Sequence, residues 1–288
     1  MVINTNTTIM GIIGNPLEHS LSPLMHNQVM KLLGYNGIYL PFQVDERFLG
    51  DAIMAIRALK IRGVNITIPF KEKVLPFLDE LTPYAQACQA VNLIENREGR
   101  LIGHNLDGEG FMRGLRIYRA SAPGTVLILG AGGAARAVSY ELSKAGAKEI
   151  VFLARNLEKA KKLADFINME GGCASAAALM GRESRDWLGR ADLIVNCTPV
   201  GMLPHVSSSV LTSLEGVKKD AILYDIVYNP LETKLLSLGR AQGLKTVDGL
   251  WMLVYQGALS FALLTGIDPP VDYMRSILLE RLKGAQGI

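Results

Sequence analysis

The sequence predicts an α/β fold, built on largely parallel sheets and split into two domains. Three observations predict it. Short β-branched runs alternate with helix-period segments along most of the chain. The apolar run Thr125–Leu129 leads into a glycine-rich turn and then a helical segment. The chain has 288 residues, and domains usually run to roughly 100–200 residues each.

The elements follow in order. Ile9–Ile13 reads as the first strand. Ser22-Pro23 starts a helix, with the hydroxyl as cap and proline at the first helical position. That helix runs to Leu33 and stops at Gly34. Ile38–Val44 is the second strand, and Asp45 caps a helix through Leu59. Val64–Ile68 is the third strand, ended by Pro69. Lys71–Leu81 reads as a helix with a kink or break at Pro76. Val91–Glu95 and Arg100–Asn105 flank a hairpin turn at Glu98-Gly99.

A second block starts after Leu106. Phe111–Arg119 is a connecting helix. Thr125–Leu129 is a buried strand, and a helix then runs to Ala145 and stops at Gly146. Further strands are expected at Ile150–Leu153, Cys173–Leu179, Leu193–Cys197, Ile222–Ile226 and Thr246–Val247. Helices at Leu157–Ile167 and Leu231–Ala241 lie between them. Two more helices, Leu250–Leu264 and Pro270–Leu282, end the chain. The boundaries fall near 106 and 248, in tight turns: 1–106, 107–248 and 249–288.

Composition narrows the class. With 49% hydrophobic and 20% charged residues, the chain is not mainly disordered. A net charge of +3 gives no bulk argument for nucleic acid or membrane binding. Cys88, Cys173 and Cys197 form no C-x-x-C, and the histidines form no H-E-x-x-H. No metal is expected, and a reducing cytoplasm is the expected location. The run Ile9–Ile13 is too short for a signal peptide. Gly249–Ile267 carries no charge over 19 residues, near the length of a membrane span. Gln256 and three glycines interrupt it, and Asp248 and Asp268 abut it, so it reads as a buried helix.

The turn Gly130-Ala131-Gly132-Gly133-Ala134-Ala135 follows a buried strand and opens a helix. The first glycine allows the tight turn, and the second lets backbone approach a pyrophosphate. The small third residue lets helix and strand pack closely. The free N–H groups at the helix start then hold negative charge. This is a Rossmann signature. NAD sites carry an acid about 20 residues on, which grips the ribose hydroxyls. Here the segment is Leu153-Ala154-Arg155-Asn156. Arg155 suits a 2′-phosphate, and Lys159 lies one helical turn on. NADP is therefore the expected cofactor.

Polar groups collect where strands end in the first block: Ser20 and Ser22, Asn65, Thr67 and Lys71, Asn92, then Asn105 and Asp107. Hydroxyls, amides and one Lys–Asp pair suit a polyhydroxylated small molecule. Taken singly, each has a structural reading as a cap, turn or surface residue.

Together these strings resemble the shikimate dehydrogenase family over essentially the whole chain. They are Gly14-Asn15-Pro16, Ser20-Leu21-Ser22-Pro23, Asn65-Ile66-Thr67-Ile68-Pro69-Phe70-Lys71, Ala90-Val91-Asn92 and Asn105-x-Asp107-Gly108. The glycine turn, Asn196-Cys197-Thr198-Pro199-x-Gly201-Met202, Asp225-x-Val227-Tyr228-Asn229-Pro230, Asp248-Gly249 and Gln256-Gly257-Ala258 complete the set.

The resemblance implies an N-terminal α/β substrate domain on a mixed, mainly parallel sheet, plus an inserted Rossmann domain that binds NADP. It implies NADPH-dependent reduction of 3-dehydroshikimate to shikimate, in aromatic amino-acid biosynthesis. Ser20 and Ser22 match the residues that hold the substrate carboxylate. Thr67, Asn92, Asp107 and Gln256 match those on the ring hydroxyls, and Tyr228 a tyrosine near the carboxylate. Lys71 and Asp107 match the catalytic pair, with Asp107 orienting Lys71. Arg155, Asn156, Lys159, Asn196, Thr198, Met202 and Gly249 fall on the cofactor side. Because Gln256 matches a substrate contact, the tail is expected to return to the first domain. The family uses no metal, and a monomer or homodimer is expected.

Three positions depart from the family pattern. Leu93 and Leu106 stand where the family usually has Thr, and Gln89 where it commonly has Gly. A quinate/shikimate dehydrogenase using NAD or both cofactors is the alternative they raise. Ser22, where Thr would favour quinate, argues for shikimate. A non-catalytic metabolite-binding protein is the alternative of another class, and Lys71 with Asp107 argues against it.

Overall fold

The first β-branched run forms β1 (Thr8–Gly14) in a computed structural model that describes residues 3–285. α1 (Ser22–Leu33) follows, then β2 (Gly37–Gln43), α2 (Leu49–Ala58) and β3 (Gly63–Ile66). The block continues with β4 (Glu80–Leu81), α3 (Pro83–Cys88), β5 (Leu93–Arg97) and β6 (Arg100–His104). These strands form one mixed sheet in the order β2-β1-β3-β5-β6-β4. β1 runs parallel to β2 and β3, whereas β5 is antiparallel to β3 and β6. The hairpin turns at Glu98 and Gly99, both at positive φ, as a two-residue turn between twisted strands requires.

Three sequence expectations are corrected by the structure, and one helix is added. Ser22 does not cap α1: the cap position is Leu21, and no side chain caps there. The Asp45 carboxylate accepts the Arg47 N–H, but it caps a single 3-10 turn (Glu46–Phe48) ahead of α2. Lys71–Leu81 is not a helix. It is a turn, a 3-10 turn at Leu75–Phe77 and then β4. Pro76 gives no N–H to a longer helix, and Glu80 and Leu81 pair with Ile102 and Gly103 of β6. The helix α3 is absent from the sequence reading, although Thr82-Pro83 is a start signal, and the Thr82 hydroxyl accepts from Ala85 N.

One face of this sheet is covered by α2. Ile53 and Ile56 are fully buried against Ile13, Val64, Ile66 and Ile94. Truncating either to alanine would cost about 2–5 kcal/mol, a large share of a domain's stability.

The second block is Asp107–Tyr255 and opens with α4 (Asp107–Arg116). β7 (Thr125–Leu129), α5 (Gly133–Lys144), β8 (Glu149–Ala154), α6 (Leu157–Met169) and β9 (Ala174–Ala178) come next. α7 (Arg182–Leu188), a second helix absent from the sequence reading, is followed by β10 (Leu193–Asn196) and β11 (Ile222–Asp225). α8 (Lys234–Ala241) and β12 (Lys245–Val247) complete the block. The strands are all parallel in the order β12-β11-β10-β7-β8-β9. This is the dinucleotide-binding order, and it reverses between β7 and β10.

α9 (Leu250–Thr265) carries the chain back to the first block, and α10 (Val271–Ala285) closes it. The first unit is Met1–Leu106 with Gln256–Ile288. Within it Ala258, Phe261 and Leu264 are buried along one face of α9. The Arg62 guanidinium holds the helix end, donating to the Leu264 carbonyl at 3.0 Å while it pairs with buried Glu95. Among the described residues no helix is long and apolar enough to cross a membrane.

Candidate active site

Strand direction gathers the polar residues of the first unit. β1 and β3 are parallel neighbours, with Ile13 opposite Ile66, so their C-terminal ends emerge together. β5 is antiparallel to β3, so its first residues start at that same edge. β6 ends there too, with His104 opposite Leu93. Ser20 and Ser22 follow β1, Thr67 and Lys71 follow β3, and Asn92 precedes β5. Open α/β sheets place ligands outside strand ends of this sort.

Backbone bonds fix these segments. Thr67 N donates to the Ile13 carbonyl at 3.0 Å, and Phe70 N to the Thr67 carbonyl at 2.9 Å. The Lys71 carbonyl accepts from Val91 N at 2.8 Å, with Phe70 and Val74 buried on either side. Ser22 is buried at the first helical position, and Ser20 N donates to the Leu17 carbonyl at 2.9 Å.

Asn92 is the hub. Its Oδ1 accepts from Leu106 N at 2.8 Å, and its Nδ2 lies 3.5 Å from Gln256 Oε1. Asn65 holds the hub from behind. Its Nδ2 donates to the Asn92 carbonyl and to Ser260 Oγ, while its Oδ1 accepts from the Tyr39 hydroxyl at 2.8 Å. Ser260 in turn donates to the Gln256 carbonyl at 2.9 Å. Asn65 therefore supports the site rather than facing it. Tyr39 stacks on His26, with ring centroids 4.3 Å apart. Burial drives the His26 pKa down to about 3, so the ring is neutral in that stack.

In the second unit the cofactor-side residues also sit at strand ends. Gly130 follows β7 at φ 109°, a conformation that requires glycine. A Cβ there would lie 2.8 Å from the Thr198 methyl. Gly132 is the cap position of α5, with no side-chain cap, and a Cβ at that position would meet nothing within 4 Å. The first N–H groups of α5, at Gly133 and Ala134, have no partner within the helix, and a side chain at Gly132 would meet no neighbour. Such a helix start suits an anion. Arg155 and Lys159 lie at the end of β8 and the start of α6, with their charged ends free to reach a ligand. The Asn156 side chain is spent as the α6 cap, accepting from Lys159 N at 3.0 Å. No acid stands in Leu153–Asn156. The turn and its two cations thus fit a phosphorylated dinucleotide.

The remaining cofactor-side residues divide. Met202 is exposed. Asn196 is fully buried, and its amide is bonded to Asp225, Val200 and Thr198. Gly249 has a packing reason, since a Cβ there would collide with the Ile226 carbonyl. Asp107 is buried at the start of α4 and follows Leu106, whose N–H is held by Asn92. Burial raises the Tyr228 pKa above its usual value, so the phenol stays a donor at neutral pH. Sequence reasoning quotes Asp225 only as part of a matching string, with no role, and passes over Thr233. Their signal is a lone acid at a strand end and a Thr at a helix start.

The three departures lie mostly outside this cluster. Leu93 is fully buried in the sheet. Gln89 is exposed at the left-handed C-cap of α3, with φ 49°. Replacing it with glycine should relieve strain without touching the site. Gln89→Gly is expected to raise stability by about 1 kcal/mol in urea titrations, with the Michaelis constants unchanged.

Known proteins are similar to this chain in sequence and in fold. Residues 12–94 match the shikimate dehydrogenase substrate binding domain, 115–238 the shikimate / quinate 5-dehydrogenase family, and 249–279 the shikimate 5'-dehydrogenase C-terminal domain. A shikimate dehydrogenase (NADP(+)) from Syntrophomonas wolfei is 44% identical over 284 residues, covering 98% of each chain. The crystal structure of a shikimate dehydrogenase in complex with NADP+ has a TM-score of 0.90 at 37% identity, covering 98% of each chain. A Listeria monocytogenes shikimate 5-dehydrogenase, crystallised with shikimate and NAD, has a TM-score of 0.91 at 36% identity. That match covers 96% of this chain and 98% of the other.

Proposed function

The chain belongs to the shikimate dehydrogenase family, and from that premise we propose that it interconverts 3-dehydroshikimate and shikimate with NADPH. The observation that carries the reading is the pairing of two features. One is the cluster of hydroxyls, amides and one lysine at a single sheet edge. The other is a nucleotide turn whose following strand ends in Arg155 with no acid.

NADPH, when bound, supplies the hydride. The chain's own residues do the rest. Ser20 and Ser22 donate hydroxyl hydrogen bonds to the substrate carboxylate, and the Tyr228 phenol adds a further donor. Thr67, Asn92 and Gln256 take the ring hydroxyls, fixing which carbonyl faces the cofactor. The Lys71 ammonium stabilises charge building on the carbonyl oxygen and donates its proton there. The Asp107 carboxylate accepts a hydrogen bond from a ring hydroxyl and orients the reacting group. Arg155 and Lys159 grip the 2′-phosphate.

The three cysteines carry no disulfide among the described residues, which suits a reducing cytoplasm. A monomer or a homodimer is the proposed assembly.

The test is the absorbance of reduced cofactor, with shikimate or quinate paired with NADP+ or NAD+. Shikimate with NADP+ is expected to give the highest kcat/KM. A higher value for quinate or NAD+ overturns the substrate or cofactor assignment, and no turnover with any pair overturns catalysis.

A further inference from the structure

One buried carboxylate ties together the ends of β10 and β11. Asp225 is fully buried. Its Oδ1 accepts from Asn196 Nδ2 at 2.9 Å and from Val227 N at 3.0 Å. Its Oδ2 accepts from the Thr233 hydroxyl at 2.7 Å. Asn196, also fully buried, passes the constraint on: its Oδ1 accepts from Thr198 N at 3.0 Å and from the Thr198 hydroxyl at 2.7 Å. That hydroxyl accepts from Val200 N at 3.2 Å, and the Thr198 methyl lies over Gly130. The Thr233 side chain also packs near Gly201, at the far end of the same segment.

A buried carboxylate is costly. Desolvation pushes the Asp225 pKa up to about 6, although the three hydrogen bonds pull it down. An apolar residue would close the strand end at less cost. Yet two of the three bonds lead to the segment that packs on the glycine turn, through Asn196 at its start and through Thr233 beside Gly201. We propose that Asp225 is a positioning residue for cofactor binding, which through Asn196 and Thr198 holds the 196–201 segment against Gly130 and so fixes the pyrophosphate turn.

The proposal rests on the reading of Gly130–Ala134 as the nucleotide turn. Its test is direct NADPH binding to the full chain, followed by fluorescence well below the melting temperature. There a purely stabilising role leaves affinity unmoved. Asp225→Ala is expected to weaken NADPH binding about tenfold or more. Asp225→Asn can keep all three bonds once the Thr233 hydroxyl and the amide turn round, so its affinity should stay within about threefold of wild type. Thr233→Val keeps the packing on Gly201 and removes only the hydroxyl, so about a threefold to tenfold loss is expected. Thr233→Ser should restore affinity. If Asp225→Ala does not fold, the Thr233 pair decides.

Wild-type affinity in a folded Asp225→Ala, or in Thr233→Val, overturns the proposal while the functional reading stands. A wild-type chain that binds no NADPH overturns both.

Discussion

Lys71→Ala is expected to lower kcat about a hundredfold or more, as loss of a general acid typically does. The KM for shikimate should stay within about threefold, because lost transition-state contacts reduce kcat rather than uniform binding. The backbone of the turn is held independently of the lysine side chain. The Lys71 carbonyl is held by Val91 N, and Phe70 and Val74 anchor the turn in the core. Neither depends on the lysine side chain, so truncation leaves the backbone path in place. The substrate keeps its other proposed contacts at Ser20, Ser22, Thr67, Asn92 and Gln256. Steady-state kinetics, with a circular dichroism spectrum matching wild type, checks both halves. Near-normal turnover would remove Lys71 from the chemistry. A large rise in KM with kcat intact would make it a binding residue.

What the sequence shows and what it hides have physical causes. Fully buried parallel strands read as continuous β-branched runs, so β1, β7, β10 and β11 are plain from composition. The glycine turn carries its own conformational demand, and Glu98-Gly99 is an explicit hairpin signal. Lys71–Leu81 reads wrongly as a helix because β4 is two residues long and exists only through its pairing with β6. No local periodicity reports such a partner. Ser22 misleads for a related reason. Ser-Pro marks a helix start, but which residue sits at the cap depends on the path taken out of β1.

The same limit applies within the site. Asn65, Asn92 and Gln256 each look ordinary alone. Only the strand register and the return of α9 show that Asn65 braces the other two. Asn156 shows the opposite case. Resemblance assigns it a cofactor contact, and the structure gives its side chain the work of a helix cap.

That division of labour sharpens the second large effect. With Asn156 committed to the cap, the proposed 2′-phosphate contacts are Arg155 and Lys159. No ion pair holds either one among the described residues. Arg155→Ala should therefore raise the KM for NADPH about tenfold or more, since a hydrogen bond to a charged group is worth roughly 1.5–3 kcal/mol. The KM for NADH, which lacks that phosphate, should not move. Adding Lys159→Ala should push NADPH toward the NADH value, because it removes the second exposed cation between the end of β8 and the first turn of α6. Salt offers an independent check. Exposed charges are screened at high ionic strength, so the wild-type KM for NADPH should climb with salt, while that of the double variant stays flat. An Arg155→Ala enzyme with an unchanged NADPH constant would take the phosphate away from this strand end. The choice of NADP over NAD would then need another source of charge, and Leu153–Asn156 holds no other charged residue.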